Sequence, residues 1–207
     1  MGIVSKIRYK FIDTWLYRWV ISAFRSPKTF FFLKRYPFWR VYNVWTRKFL
    51  GWDSSMYDWI PNGWRNAFGK ALTEDIVDAF ERDRIPKRRW TEALQWQDIK
   101  EKYGTLRLYA ATTEKVQQVL DKYECLSYAY CEECGKPARY VTDGWVSYLC
   151  EDCFNAEHHG QRYSGRRLTE DDVPRYYHYD GDTKEEHMTD PMTRWGIDLG
   201  KIWGAKE

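Results

Sequence analysis

Four cysteines constrain this chain more than any other feature. Cys131, Cys134, Cys150 and Cys153 follow the spacing C-x2-C-x15-C-x2-C. Each C-x2-C pair puts two thiolates on one tight turn. Two such pairs close a tetrahedral sulfur shell, the geometry Zn²⁺ takes in structural sites. One pair alone would say little, whereas two pairs a hairpin's length apart are specific. The expectation is a structural zinc ion held by Cys131, Cys134, Cys150 and Cys153. The alternative, a pair of disulfides, belongs mostly to secreted scaffolds. The N-terminus shows no apolar stretch followed by a small-residue cleavage site, so a reducing cytoplasm is expected.

The residues between the cysteines extend this reading. Gly135 follows Cys134 and permits the positive φ that turns backbone N–H groups toward the sulfurs. Ala138–Val141 and Trp145–Leu149 read as strands joined by Thr142-Asp143-Gly144, and Asp-Gly is a strong hairpin signal,. Cys150 and Cys153 then open a short helix, where the dipole favours thiolate. Knuckle, hairpin and ligand-bearing helix together resemble a treble-clef finger. Between residues 131 and 160 the net charge is −4, which opposes direct reading of a nucleic-acid groove by that helix. No histidine lies between the two pairs, so a nuclease of the zinc-clamped type is not expected,. His158 or His159 would become a ligand only by replacing a thiolate. Cys125 reads as a buried small hydrophobe.

At 207 residues the chain has room for one ordinary domain and a small module,. The expected class is α+β: a small body of helices and a β-hairpin, an appended treble-clef finger, and a helical, aromatic-rich N-terminal arm. The expected division is a basic aromatic arm over 1–50, an α+β body over 51–124, the finger over 125–160, and an irregular polar tail over 161–207 whose apolar end docks as a strap. No run of about 18 apolar residues occurs, so no membrane-spanning helix is expected.

Charge is unevenly spread. Residues 1–50 carry a net +10 and the remainder −7. The first fifty residues also hold 15 of the 38 aromatic residues. Phe11, Trp15 and Trp19, beside Ile12, Leu16, Val20 and Phe24, make one wide apolar face at helical period. Ser26-Pro27 breaks that helix, and Pro37–Leu50 reads as a second one with Trp39, Tyr42 and Trp45 on one side. Three partners suit such an arm: an anionic membrane surface, single-stranded nucleic acid, or protein, either the chain's own body or another molecule.

In the body, Asn62 is placed to start a helix through Trp64, Phe68 and Leu72. Thr73, followed by Glu74 and Asp75, reads as the N-cap of another. Leu94–Ile99 and Thr105–Ala110 form a hairpin about Lys102-Tyr103-Gly104, with Leu106 and Leu108 alternating inward. Thr113 opens a helix bearing Val116, Val119, Leu120 and Tyr123. Asp180 and Asp182 lack an ordered calcium-ligand series and read as a solvated loop. No phosphate-cradling glycine loop or Gly-x-Ser-x-Gly is present, so no catalytic residues are nominated and the chain is not expected to be an enzyme.

The run Ile99-Lys-Glu-Lys-Tyr-Gly-Thr-Leu-Arg-Leu-Tyr109 stands beside Pro61-Asn-Gly-Trp64, Cys131-x2-Cys134-Gly135, and Gly144-Trp145 with Leu149-Cys150-x2-Cys153. As a set these motifs resemble a family of small uncharacterised proteins from bacteriophages and bacterial genomes, over roughly residues 55–160. The resemblance implies a phage accessory factor acting in the host cytoplasm by binding a host or phage protein. It brings no activity with it. Nucleic-acid binding through residues 1–50 and a role in virion assembly are the alternatives.

Overall fold

The computed structural model describes residues 27–43, 45–158, 161–169, 172, 176–179, 186–189 and 195–204. The apolar stripe from Phe11 to Phe24 lies outside these residues. The class is α+β, with helices, small antiparallel sheets and a cysteine cluster toward the C-terminal part.

Helix α1 (Pro27–Arg35) buries Phe30 and Leu33. Its proline occupies the first helical position, where a missing N–H costs nothing. The helix expected over Pro37–Leu50 does not form. Pro37–Trp39 makes a single 3₁₀ turn, and the chain then runs extended through bridges between Arg40 and Ser55 and between Tyr42 and Phe49. The reason is local: the Asn43 carboxamide oxygen accepts the N–H groups of Trp45 (3.0 Å) and Thr46 (2.8 Å), and Arg47 takes φ 54°. These bonds hold a turn where a helix would need its own carbonyls. Trp39 is buried while Trp45 stands 91% exposed.

Helix α2 (Asn62–Arg82) is the spine of the body. Trp64, Phe68, Leu72, Ile76 and Phe80 recur at helical spacing on its buried face. The sequence reading breaks this segment at Thr73, but the helix is continuous. Thr73 is buried; its hydroxyl donates to the Gly69 carbonyl one turn earlier (2.9 Å) and accepts Trp39 Nε1–H (3.2 Å). The acids that resemble a first helical turn serve elsewhere. Glu74 pairs with Lys70, and Asp75 accepts Lys122 Nζ (2.8 Å) and Tyr123 OH (2.9 Å). The helix ends in a Schellman motif: Arg84, at φ 55°, donates its N–H to the Glu81 carbonyl and Ile85 donates to that of Phe80,.

After the helical turn α3 (Trp90–Ala93), β1 (Leu94–Lys102) and β2 (Thr105–Thr112) form the expected hairpin, longer than the sequence suggests. Tyr103 and Gly104, both at positive φ, make the two-residue turn,. A bulge between Trp96 and Asp98 changes the phase of β1, so Leu94, Trp96 and Ile99 all face inward,. The outer edge of β2 is covered by side chains. Leu106 N–H donates to Ser127 Oγ (3.0 Å) and Leu108 N–H to Glu124 Oε1 (2.5 Å). Glu124 belongs to α4 (Glu114–Leu126), which packs Val116, Val119, Leu120 and Tyr123 against α2.

One core runs from Phe30 to Tyr123. Rings that the sequence places in the arm complete it: Trp39 stacks on Trp96 at 4.8 Å, and Phe38 meets Phe80 and Trp90. Of the five buried indoles, those of Trp39, Trp64, Trp90 and Trp96 donate to Thr73 Oγ1 or to main-chain carbonyls, so most of the aromatic payload enters the core with its polar atom paired.

In the finger, β3 (Tyr140–Thr142) and β4 (Tyr148–Leu149) are shorter than expected, and helix α5 (Glu151–Asn155) follows. The region read as irregular contains more order. Beyond the short hairpin of β5 (Glu157–His158) and β6 (Gln161–Arg162), β7 (Gly165–Arg167) pairs with β3, giving sheet order β4-β3-β7. Strands β8 (Tyr176–Tyr179) and β9 (Glu186–Thr189) make another hairpin. Residues 180–182 fall outside the described residues. Helix α6 (Leu199–Trp203) ends the described chain; Ile197, Leu199 and Trp203 pack against Tyr128, Ala138 and Tyr148.

Candidate metal centre

The four sulfurs predicted to be ligands converge. The Sγ atoms of Cys131, Cys134, Cys150 and Cys153 all lie within 4.8 Å of one another, with Cys134 and Cys150 at 3.5 Å. Metal–sulfur bonds of about 2.3 Å in a tetrahedron set sulfur–sulfur edges of about 3.8 Å, so the shell accommodates a metal ion. None of these cysteines is in a disulfide. Among the described residues no other group of this kind occurs. Cys125 is buried in α4 and takes no part in it. The side chains of His158 and His159 lie outside the described residues.

Local backbone geometry explains the convergence. Gly135, at φ 85°, donates its N–H to the Cys131 carbonyl (2.9 Å), and Cys131 N–H reaches the Lys136 carbonyl (2.8 Å). These bonds fold C-E-E-C-G into a knuckle. Cys150 caps α5, its sulfur accepting Cys153 N–H at 3.4 Å. Burial pushes the Cys131 thiol up to about 11, against backbone hydrogen bonds at Cys150, Cys134 and Glu133 that favour thiolate. Burial also raises Cys153, chiefly with the neighbouring thiols. At Cys134 burial is overcome by hydrogen bonds from Lys136 and the other cysteines, and its pKa falls. A divalent cation stabilises all four as thiolates, and binding it releases the protons they hold.

The knuckle is clamped to the body. Gly63, in the first turn of α2, donates its N–H to the Glu132 carbonyl (2.9 Å), and Trp64 Nε1 reaches the carbonyls of Ser127 and Tyr130, each at 3.1 Å. A Cβ on Gly63 would lie 2.2 Å from the Cys131 oxygen, and one on Gly135 would lie 2.4 Å from the Gly63 oxygen. From the other side the β1–β2 turn presses on β4: a Cβ on Gly104 would come within 2.8 Å of the Tyr148 ring and 3.0 Å of the Val146 oxygen. Pro61-Asn-Gly-Trp64, the 99–109 hairpin and the cysteine knuckle are thus three sides of one joint.

Beside that joint lies an open pocket of about 200 Å³ lined by Pro61, Asn62, Glu101, Glu132 and Glu133. Burial pushes the Glu132 carboxyl up to about 7; a Ser147 hydrogen bond opposes the shift, and the Glu101 and Glu133 charges add to it. One Glu132 oxygen makes no hydrogen bond. Sequence reasoning did not single these acids out, because Glu101 meets Glu132 only through the hairpin's docking on the finger.

Comparison with protein-family models, curated proteins and solved structures found no match to this chain. Among the described residues no helix is long and apolar enough to cross a membrane.

Proposed function

We propose that this chain is a zinc-stabilised, non-catalytic binding protein: a phage-type accessory factor that engages a protein partner in the host cytoplasm. Zinc is the reading for the metal because an all-thiolate tetrahedral shell suits it, whereas hard cations prefer oxygen. With four protein sulfurs the shell is full, and a full shell holds structure instead of activating water.

The observation that carries the binding reading is a pair of aromatic rings on neighbouring turns. Tyr103 is 70% exposed at the β1–β2 turn, and Trp145 is 78% exposed at the β3–β4 turn. The two turns meet where Gly104 packs on Val146 and Tyr148. Exposed Tyr and Trp on rigid turns are the residue types that anchor protein interfaces.

Affinity purification of the full chain from expressing cells, beside Tyr103→Ala/Trp145→Ala, tests this. The expected result is a protein partner that rebinds stoichiometrically after separate purification and is lost with the double substitution at unchanged melting temperature. Recovery of nucleic acid alone, or the same complex from both proteins, would overturn the reading.

A further inference from the structure

A second surface is made of residues that take no part in the joint. Phe31 on α1, and Trp45 and Leu50 on the loop that follows, are 67%, 91% and 58% exposed. Helix and loop meet through the ring contacts of Phe30 with Trp52 (5.1 Å) and Phe49 with Trp52 (5.0 Å), so Phe31 and Leu50 flank one contact. Five of the six cations of this stretch, Lys28, Lys34, Arg35, Arg47 and Lys48, are exposed; the sixth, Arg40, is half-buried over the Phe49 and Trp52 rings. Residues 27–50 contain no acid, and the first one after them is Asp53. Lys28, Arg35, Arg47 and Lys48 form no salt bridge among the described residues. Arg35 and Arg47 instead lie over the rings of Tyr36 and Tyr42.

We infer that this face docks on an anionic phospholipid membrane, with Phe31, Trp45 and Leu50 entering the interface and the surrounding Lys and Arg side chains meeting lipid phosphates. Charge complementarity selects an anionic partner. The shape of the apolar groups selects lipid among anionic partners. Phe31 projects from a helix, Trp45 from a turn and Leu50 from the extended segment that follows it, and exposed aliphatic and aromatic groups of this kind insert into a deformable interface. Single-stranded nucleic acid is held instead in a basic groove with stacking rings, and Leu50 has no face on which a base can stack. A second copy would bring like charges together if it used the same face. In the sequence, Phe11, Ile12, Trp15, Leu16, Trp19, Val20 and Phe24 precede this stretch with the same mixture of aliphatic and aromatic groups among cations. The inference is independent of the metal and of the proposed protein partner.

Sedimentation of the full chain with vesicles tests it. The protein should pellet with phosphatidylcholine–phosphatidylserine vesicles and not with phosphatidylcholine alone, and added salt should weaken the binding. Phe31→Ser/Trp45→Ser/Leu50→Ser should lower the partition coefficient about tenfold or more, and Lys28→Glu/Lys48→Glu, which touches no core group, should do likewise. Trp145→Ser should leave it unchanged. Absence of pelleting, equal pelleting with neutral vesicles, or full binding by both multiple variants would overturn the inference. So would binding of a single-stranded oligonucleotide in place of vesicles, or self-association that the triple substitution abolishes while vesicle binding is absent.

Discussion

Gly63 and Gly135 pack backbone against backbone. The Gly63 carbonyl oxygen lies 2.4 Å from where a Cβ on Gly135 would stand. The first turn of α2 and the cysteine knuckle therefore touch with no side chain between them. Substituting Gly63 by Ala drives a methyl group into the carbonyls of Cys131 and Glu132, neither of which has a flexible end to swing away. Overpacking against main chain should cost about 3 kcal/mol or more. Urea denaturation of Gly63→Ala checks this; an unchanged midpoint would show that the two elements separate freely.

Metal content should be one equivalent of zinc per chain in freshly prepared, reduced protein, measured by elemental analysis. A site filled at about a thousand times its dissociation constant contributes about 4 kcal/mol. For a chain of this size that corresponds to a melting decrease of roughly 10 °C on chelation. Cys134→Ser should reproduce the decrease and lose the metal. Cys125→Ser, outside the shell, should keep it.

Thr73 holds Trp39 in the core through its hydroxyl. Thr73→Val preserves shape but leaves the indole N–H buried without an acceptor, at a cost of about 1–3 kcal/mol. Thr73→Ser should recover most of the loss. Equal stability of the Val and Ser variants in equilibrium denaturation would show that the bond contributes nothing.

Glu124 predicts a pH dependence. Burial, aided by Asp121, raises its carboxyl above the ordinary 4.5, opposed by the Leu108 N–H and by Arg107. The folded state therefore holds this proton more tightly than the unfolded chain. The associated stability is fully present below the ordinary value and is lost as pH rises through the folded pKa. Glu124→Gln keeps an oxygen acceptor for Leu108 N–H and removes the titration. Denaturation across the acidic range should show wild-type stability falling relative to the variant as pH rises; a parallel pair of curves would refute the assignment. Asp83 has the opposite sign, because hydrogen bonds from Lys115 and Thr113 lower it, and its contribution disappears as pH falls.

The candidate ligands were legible because C-x2-C spacing is a local instruction: a few main-chain bonds bring each pair of sulfurs together. The Tyr103-Gly104 turn and the inward alternation of Leu106 and Leu108 were legible for the same reason, as was the helix after Thr113. Each depends on residues a few positions apart.

Other features depended on partners far along the chain. Thr73 carries the local signature of a helix start, yet it sits mid-helix because Trp39, 34 residues away, uses its hydroxyl. Gly165–Arg167 has no strand signature that stands out, and becomes a strand because β3 has an open edge beside it. The meeting of Glu101 with Glu132 follows from glycine contacts that no periodicity encodes. Short-range geometry and side-chain period specify the sulfur shell and the separate hydrophobic faces, so both can be read from neighbouring residues alone. Which faces meet, and which polar groups find partners, is settled by packing between distant segments, whose separation along the chain carries no record of the contact.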